Sequence, residues 1–177
     1  MHPLTADNII KNLKIIVDTR EQKWHHIESS LKVTETPFEL RKLNYGDYSC
    51  EVLDEHSEVI SLQNKVVIER KANLDELAGN FTKGRERFDR EFRRAVDDKA
   101  KVFLLVENAS YEGILTHSYR SKFSPKSFLA TLFSWQAKYN ITVIFCKRET
   151  SGQVIKGILY YAMRDYLLNY EDGEAGC

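Results

Sequence analysis

Apolar residues along the chain follow two regimes, short blocks or alternations before residue 72 and three- and four-residue steps over most of the remainder. The strand-like stretch opened by Lys14 carries an apolar run, Ile15-Ile16-Val17, that stops abruptly at Asp18-Thr19-Arg20-Glu21, the pattern of a buried strand crowned by polar residues. Trp24, Ile27 and Leu31 then step at helical spacing, so Asp18 is both a candidate cap for that helix and a candidate site residue. His25 and His26 lie inside this segment about 100° apart and do not face one metal together. Residues 36–43 alternate and predict a half-buried strand, Asn44-Tyr45-Gly46 supplies a turn, and residues 47–53 predict a strand entered at Asp47. After a polar hairpin loop at 54–58, residues 59–62 and 66–68 complete an antiparallel set. The strand of Glu69 is therefore the neighbour, or next but one, of the strand opened by Asp47.

From Asn73 the period is helical through Leu74, Leu77, Ala78 and Phe81, breaks near Lys83-Gly84, and resumes through Phe88, Phe92 and Ala95. Residues 102–106 form the most apolar run and predict a central strand ending in Glu107-Asn108. Ser124-Pro125 starts a helix that Asn140 ends, residues 141–146 predict a further core strand, and Ser151-Gly152 opens a last helix. Strand, helix, strand, helix in that order predicts parallel crossovers and an α/β fold. Residues 1–12 are expected to form an N-terminal arm and residues 171–177 a flexible tail.

Between the regimes lies Val66-Val67-Ile68-Glu69-Arg70-Lys71-Ala72-Asn73-Leu74-Asp75. Strand alternation sends Val67, Glu69 and Lys71 to one face and Val66, Ile68 and Arg70 to the other, with roughly 6.6 Å of rise between Glu69 and Lys71. A carboxylate and an ammonium on one face either grip a small reacting group or form a solvated ion pair at a strand end.

Composition narrows the reading without deciding it. The 177 residues fit one domain, and 26 basic residues cancel 26 acidic ones, so affinity for phosphate must come from local clustering. Lys83, Arg87, Arg90 and Arg94 line one flank of a helix, with Arg85 just after the glycine; Glu86, Asp89 and Glu91 would neutralise that flank by pairing within the helix. Cys50, Cys146 and Cys177 are odd in number and lack CxxC spacing, which predicts reduced thiols without a disulfide or structural zinc. No run reaches the roughly twenty apolar residues of a membrane span, and no export signal is visible. The expected location is intracellular: cytoplasmic in a bacterial or viral setting, nuclear in a eukaryotic one.

Four blocks, Val17-Asp18-Thr19-Arg20-Glu21, Gly46-Asp47-Tyr48, Glu69-Arg70-Lys71 with Asp75, and Gly84-Arg85, resemble in order and spacing the XPF family of structure-specific DNA endonucleases. The family signature is a GD, a variable stretch, then ERK, three intervening residues and a D. The resemblance covers residues 14–170 and marks 13–170 as the nuclease domain. It implies the restriction-endonuclease-like fold, a mixed sheet flanked by helices on both faces. It also implies hydrolysis of phosphodiester bonds in branched or flap-like DNA during repair, recombination or replication, with Mg²⁺ as cofactor and Mn²⁺ as substitute. In that picture Asp47 and Glu69 are metal carboxylates, joined by the Arg70 carbonyl. Lys71 orients or deprotonates the attacking water, and Asp18 and Glu21 serve a second ion or its waters. Arg20, Arg70 and Arg85 grip phosphate, the flank Lys83, Arg87, Arg90 and Arg94 follows the DNA backbone, and Asp75 fixes one of those arginines or caps a helix.

Two departures qualify the resemblance. Larger members carry a helix-hairpin-helix module after the nuclease domain, absent from this sequence, so branch selection is expected to rest on the domain itself, a homodimer or a separate DNA-targeting partner. A glutamine usual after the Gly-Arg is also missing. Trp135 and Tyr160–Tyr166 are candidates for a dimer face, or else for core. Two other functions compete, a non-catalytic DNA-binding or partner subunit of a nuclease complex and a same-fold enzyme that cuts duplex DNA at a sequence.

Overall fold

The structure, a computed structural model, describes residues 1–169. Its elements in chain order are α1 (Pro3–Ile9), β1 (Lys14–Val17), α2 (His25–Val33), β2 (Phe38–Leu40), β3 (Tyr48–Leu53), β4 (Val59–Ser61), β5 (Val66–Lys71), α3 (Leu74–Phe81), α4 (Arg85–Asp97), β6 (Lys101–Glu107), α5 (Tyr111–Leu115), α6 (Pro125–Tyr139), β7 (Ile141–Cys146) and α7 (Ser151–Leu168). The strands form one mixed sheet in the order β2-β1-β3-β5-β6-β7, with β4 paired to the far half of β3. Its first part is the antiparallel set β1, β3 and β5; its second is the parallel set β5, β6 and β7, joined by helical crossovers as the strand–helix alternation requires.

Helices cover both faces. Ile68 of β5 and Leu105 of β6 face a core shared with α1, α2 and α7, whereas Val67, Val102 and Leu104 face a second core built by α3, α4 and α6. That second core is aromatic. Phe81, Phe88, Phe92, Phe128, Trp135 and Tyr139 interlock, and Phe81, Phe88 and Phe128 are almost fully buried, each contributing about 1.5–3 kcal/mol of transfer free energy. Ser124 caps α6 by accepting from the Ser127 N–H, Pro125 fills its first turn, and Asn140 ends it in the left-handed region at φ 51°.

The restriction-endonuclease-like class expected from the sequence holds, with local corrections. The predicted strand at 36–43 shortens to Phe38–Leu40 and lies parallel to β1. Beyond it the chain turns inward, where the Leu43 N–H donates to Asp18 and Arg41 pairs with Glu39 and Glu51. Residues 1–12 are no arm: Ala6, Ile9 and Ile10 are buried in the α7 core. Trp135 is core too, leaving Tyr161 as the large exposed aromatic of α7. Cys50 and Cys146 are free thiols, while Cys177 and the expected tail lie outside the described residues. Among the described residues no helix is long and apolar enough to cross a membrane.

Register gathers the polar ends. Val17 pairs with Tyr48, Tyr48 with Ile68, and Lys71 with Val106, so Asp18, Asp47, Glu69, Arg70, Lys71 and Glu107 all fall at one end of the sheet.

Candidate active site

Asp47 is set by a turn that only glycine fits. Gly46 has φ +73°, and a Cβ there would sit 2.8 Å from Val67 Cβ. The close approach lets the Asp47 N–H donate to the Ile68 carbonyl and the Asp18 N–H to the Asp47 carbonyl, both at 2.8 Å. The side chain then turns onto β5, where Asp47 Oδ2 accepts from the Arg70 N–H at 2.7 Å. Glu69 Oε1 accepts from Lys71 Nζ at 2.6 Å, and that ammonium lies 5.0 Å from the centre of the Phe88 ring. The alternation read from sequence is thus observed, with Glu69 and Lys71 on the α4 face.

Electrostatics here are those of a crowded acid pair with one cation. Burial pushes the Asp47 carboxyl well above the usual range, and the charge of Glu69 adds to it. Burial lowers the Lys71 pKa, but the Glu69 and Asp47 carboxylates outweigh it and raise the net value, keeping the ammonium charged. A cleft of ≈ 390 Å³ opens over these groups, bounded by Arg20 and Glu21 on one side and Arg87 and Glu91 on the other. Asp47 Oδ1 and Glu69 Oε2 have no hydrogen-bond partner among the described residues, so each carboxylate offers one uncommitted oxygen to that cleft. These hard oxygen donors suit a small divalent cation that retains water. Among the described residues no three His, Cys, Asp or Glu side chains form a ready-made metal cage.

On the opposite face Arg70 is fully engaged. Its Nε and Nη2 donate to Glu107 at 2.9 and 2.8 Å, its Nη1 approaches Glu21 at 3.4 Å, and His26 Nε2 lies 2.7 Å from the same Glu107. The Arg70 side chain therefore ties β5 to β6 and does not reach for phosphate, because its guanidinium is buried with two carboxylates. Asp18 also departs from expectation. Its Oδ1 accepts from the Arg20 N–H and Nε at 2.7 Å, and its Oδ2 from Arg20 Nη2 at 3.0 Å and the Leu43 N–H at 2.7 Å. Burial raises its pKa, but these bonds bring it below the ordinary value, and all its acceptor sites are used. In this structure Asp18 neither caps α2, whose cap position is Trp24, nor offers oxygens to a metal; it fixes Arg20 at the rim of the cleft.

The basic flank of α4 is not neutralised. Asp89 pairs with Arg93 at 2.5 Å and with Lys138 and Tyr139, and Glu91 turns into the cleft. Lys83, Arg87, Arg90 and Arg94 stay exposed without an ion pair among the described residues. Arg85 lies 5.7 Å from the Trp135 ring. Asp75 does not cap α3, since Asn73 accepts from the Glu76 N–H at 2.9 Å; Asp75 accepts instead from the N–H groups of Arg120 and Ser121, at 2.8 and 2.9 Å, and from Arg120 Nε at 3.3 Å.

A family model described as "ERCC4 domain" matches residues 17–158. The chain belongs to the ERCC4-domain family. This is the XPF-type family that the four motif blocks resemble, and its matched span contains every element lining the cleft. Among solved structures, XPF from Aeropyrum pernix superposes with a TM-score of 0.63 at 20% identity, covering 88% of this chain and 68% of that one. XPF from Aeropyrum pernix in complex with DNA gives 0.62 at 19% identity, covering 90% of this chain and 74% of that one. At such identity the likeness establishes the fold. No curated protein sequence matches the chain.

Within this ERCC4 domain, sequence reasoning missed three carboxylates, Glu91 and Glu76 lining the cleft and Glu107 buried behind it. Glu107 is visible in the sequence as the polar end of a buried run, the same signal that singles out Asp18. Glu91, expected to pair with the basic flank within the helix, faces Glu69 instead, and burial together with that charge raises its pKa. Glu76 closes the turn before α3 by accepting from the Ala72 N–H at 2.8 Å and stands 4.0 Å from Lys71.

Proposed function

We propose that this chain is a divalent-metal-dependent endonuclease that hydrolyses phosphodiester bonds in branched or flap-like DNA during repair, recombination or replication. The observation that carries the reading is Asp47, Glu69 and Lys71 converging in one cleft, two crowded carboxylates with uncommitted oxygens beside a buried ammonium held cationic. Mg²⁺, or Mn²⁺ in its place, held by Asp47 and Glu69 would supply an activated water near neutral pH and neutralise charge on the phosphorane-like transition state. Lys71, as an ammonium, donates from Nζ to the attacking water or to a phosphate oxygen and stabilises developing negative charge. Arg20, oriented by Asp18 and by its 3.0 Å bond to the Leu43 carbonyl, leaves Nη1 to grip a phosphate at the rim. Phosphate contacts along α4 suit an enzyme that selects DNA shape over base sequence. Branch selection would draw on the domain itself, a second copy or a separate targeting partner, and for the last two exposed Tyr161 and Phe133 would supply apolar contacts.

A panel of labelled flaps, forks and four-way junctions with Mg²⁺ or Mn²⁺ tests the reading. Cleavage is expected from the wild type and loss of at least a hundredfold in rate from Asp47→Ala or Glu69→Gln. Equal cleavage by Asp47→Ala, or none of any substrate, would overturn it. In the latter case DNA binding alone would favour the non-catalytic subunit.

A further inference from the structure

The catalytic cleft does not end at Arg20. A second pocket of ≈ 550 Å³ continues from it, sharing Arg20, Glu21, Arg70 and Glu76, and adding Lys23, Asp75 and Arg120. We infer that this pocket is a second phosphate subsite, which takes the DNA backbone on the side of the cut away from α4, and that Asp75 is the positioning residue that holds Arg120 over it. The inference rests on the endonuclease reading and deepens it.

Three observations carry it. First, the loop between α5 and α6 is fixed at two points. Tyr119 and Phe123 pack on Phe128 at ring separations of 5.2 and 5.5 Å, and the Tyr119 hydroxyl donates to the Phe123 carbonyl at 2.7 Å. Next to Tyr119, Asp75 Oδ1 accepts from two consecutive N–H groups, those of Arg120 and Ser121. Second, the Arg120 side chain is 91% exposed although Asp75 Oδ2 accepts from its Nε, which leaves both Nη groups available to a ligand. A structural arginine would bury more of itself, as Arg70 does at 5%. Third, the acids of this pocket are already engaged. Glu21 faces Arg70 and accepts from the Lys23 N–H, Glu76 accepts from the Ala72 N–H, and Asp75 holds the loop. Arg20, Lys23 and Arg120 are left as its outward cations. The catalytic carboxylates then lie between two basic stretches, α4 on one side and Arg120 on the other, which suits a continuous strand passing over Glu69.

DNA affinity is measured over a salt series with EDTA, and KM and kcat with Mg²⁺, for the wild type, Arg120→Ala, Asp75→Ala, Asp75→Asn and the Asp75→Ala/Arg120→Ala pair. Arg120→Ala is expected to weaken binding several-fold and to flatten the slope of log affinity against log salt by about 0.7–0.9, one phosphate contact. Asp75→Ala should reproduce that change, the pair should add nothing, and the loss should fall in KM more than in kcat. Asp75→Asn keeps an oxygen for the two N–H groups and should recover part of the affinity. An unchanged slope in Arg120→Ala overturns the subsite, as does an Asp75→Ala that lowers kcat while leaving the slope intact, the pattern of a metal ligand. Arg120→Ala removes an exposed side chain and keeps the fold, so a misfolded Asp75 variant does not block the test. A wild type that cleaves, with Arg120 variants matching it, fails the subsite alone; one that neither binds nor cleaves fails the endonuclease reading as well.

Discussion

Glu107 has no exposed surface, so its charge must be answered inside the protein, and it is: Arg70 donates twice and His26 lies at 2.7 Å. Removing one member of such a buried pair leaves the other uncompensated. Glu107→Ala should therefore lower stability by about 3–5 kcal/mol in urea unfolding, with Arg70 no longer locked to β6. Burial raises the Glu107 pKa, but the bonds from Arg70, His26 and Ser151 outweigh it, so the folded value lies below the ordinary one. A depressed carboxylate contributes stability that is fully present above the unfolded value and is lost as pH falls through the folded value. Wild-type unfolding free energy should decline below about pH 4.3, the ordinary glutamate value, and Glu107→Gln should flatten that decline. A Glu107→Gln profile as steep as the wild type would show that other carboxylates carry the acid sensitivity.

At the level of elements, the turn at Gly46 decides where Asp47 stands. Gly46→Ala meets both a positive φ and a Cβ contact of 2.8 Å with Val67, which can yield only by moving β5. The expected cost is about 2 kcal/mol or more, together with a lower rate on any cleavable DNA, because the displaced strand carries Glu69. A variant of wild-type stability and rate would mean that the turn relaxes freely. What could be read from sequence also divides at this scale. The side-chain faces of β5 followed from a period of two, and the stripes of α3 and α4 from a period of 3.6, because local sequence sets both. Choice of partner is not local. Asp18 is taken up by an N–H 25 residues away and Arg70 by a carboxylate 37 residues away, so the motif resemblance, which implied a metal role for Asp18 and a phosphate for Arg70, carried no sign of the partners that engage both side chains in the fold. The N-terminal segment misled for a similar reason. Its mixed composition hid the three apolar side chains that dock on α7.

Across the whole molecule the charges sum to zero, so no global field favours DNA, and attraction has to arise from asymmetry. The asymmetry is visible in how acids are spent. On the sheet face beside β1, Glu39 and Glu51 are matched by Lys14 and Arg41, and on the outer side of α4 Asp89 is matched by Arg93 and Lys138, whereas Lys83, Arg87, Arg90 and Arg94 on the α4 flank have no ion pair among the described residues. Local and global charge can be separated by experiment. Replacing Arg87, Arg90 and Arg94 with serine should flatten the salt dependence of DNA binding by up to about 2.7, at about 0.9 for each duplex phosphate contact. Adding Glu55→Lys to that variant restores two units of charge, but on the β3–β4 loop at the opposite end of the sheet from Asp47. If the path over α4 is what binds, the added lysine recovers none of the lost slope. Recovery in proportion to net charge would instead mean that the neutral balance of the chain, and not the stripe beside the cleft, governs its hold on DNA.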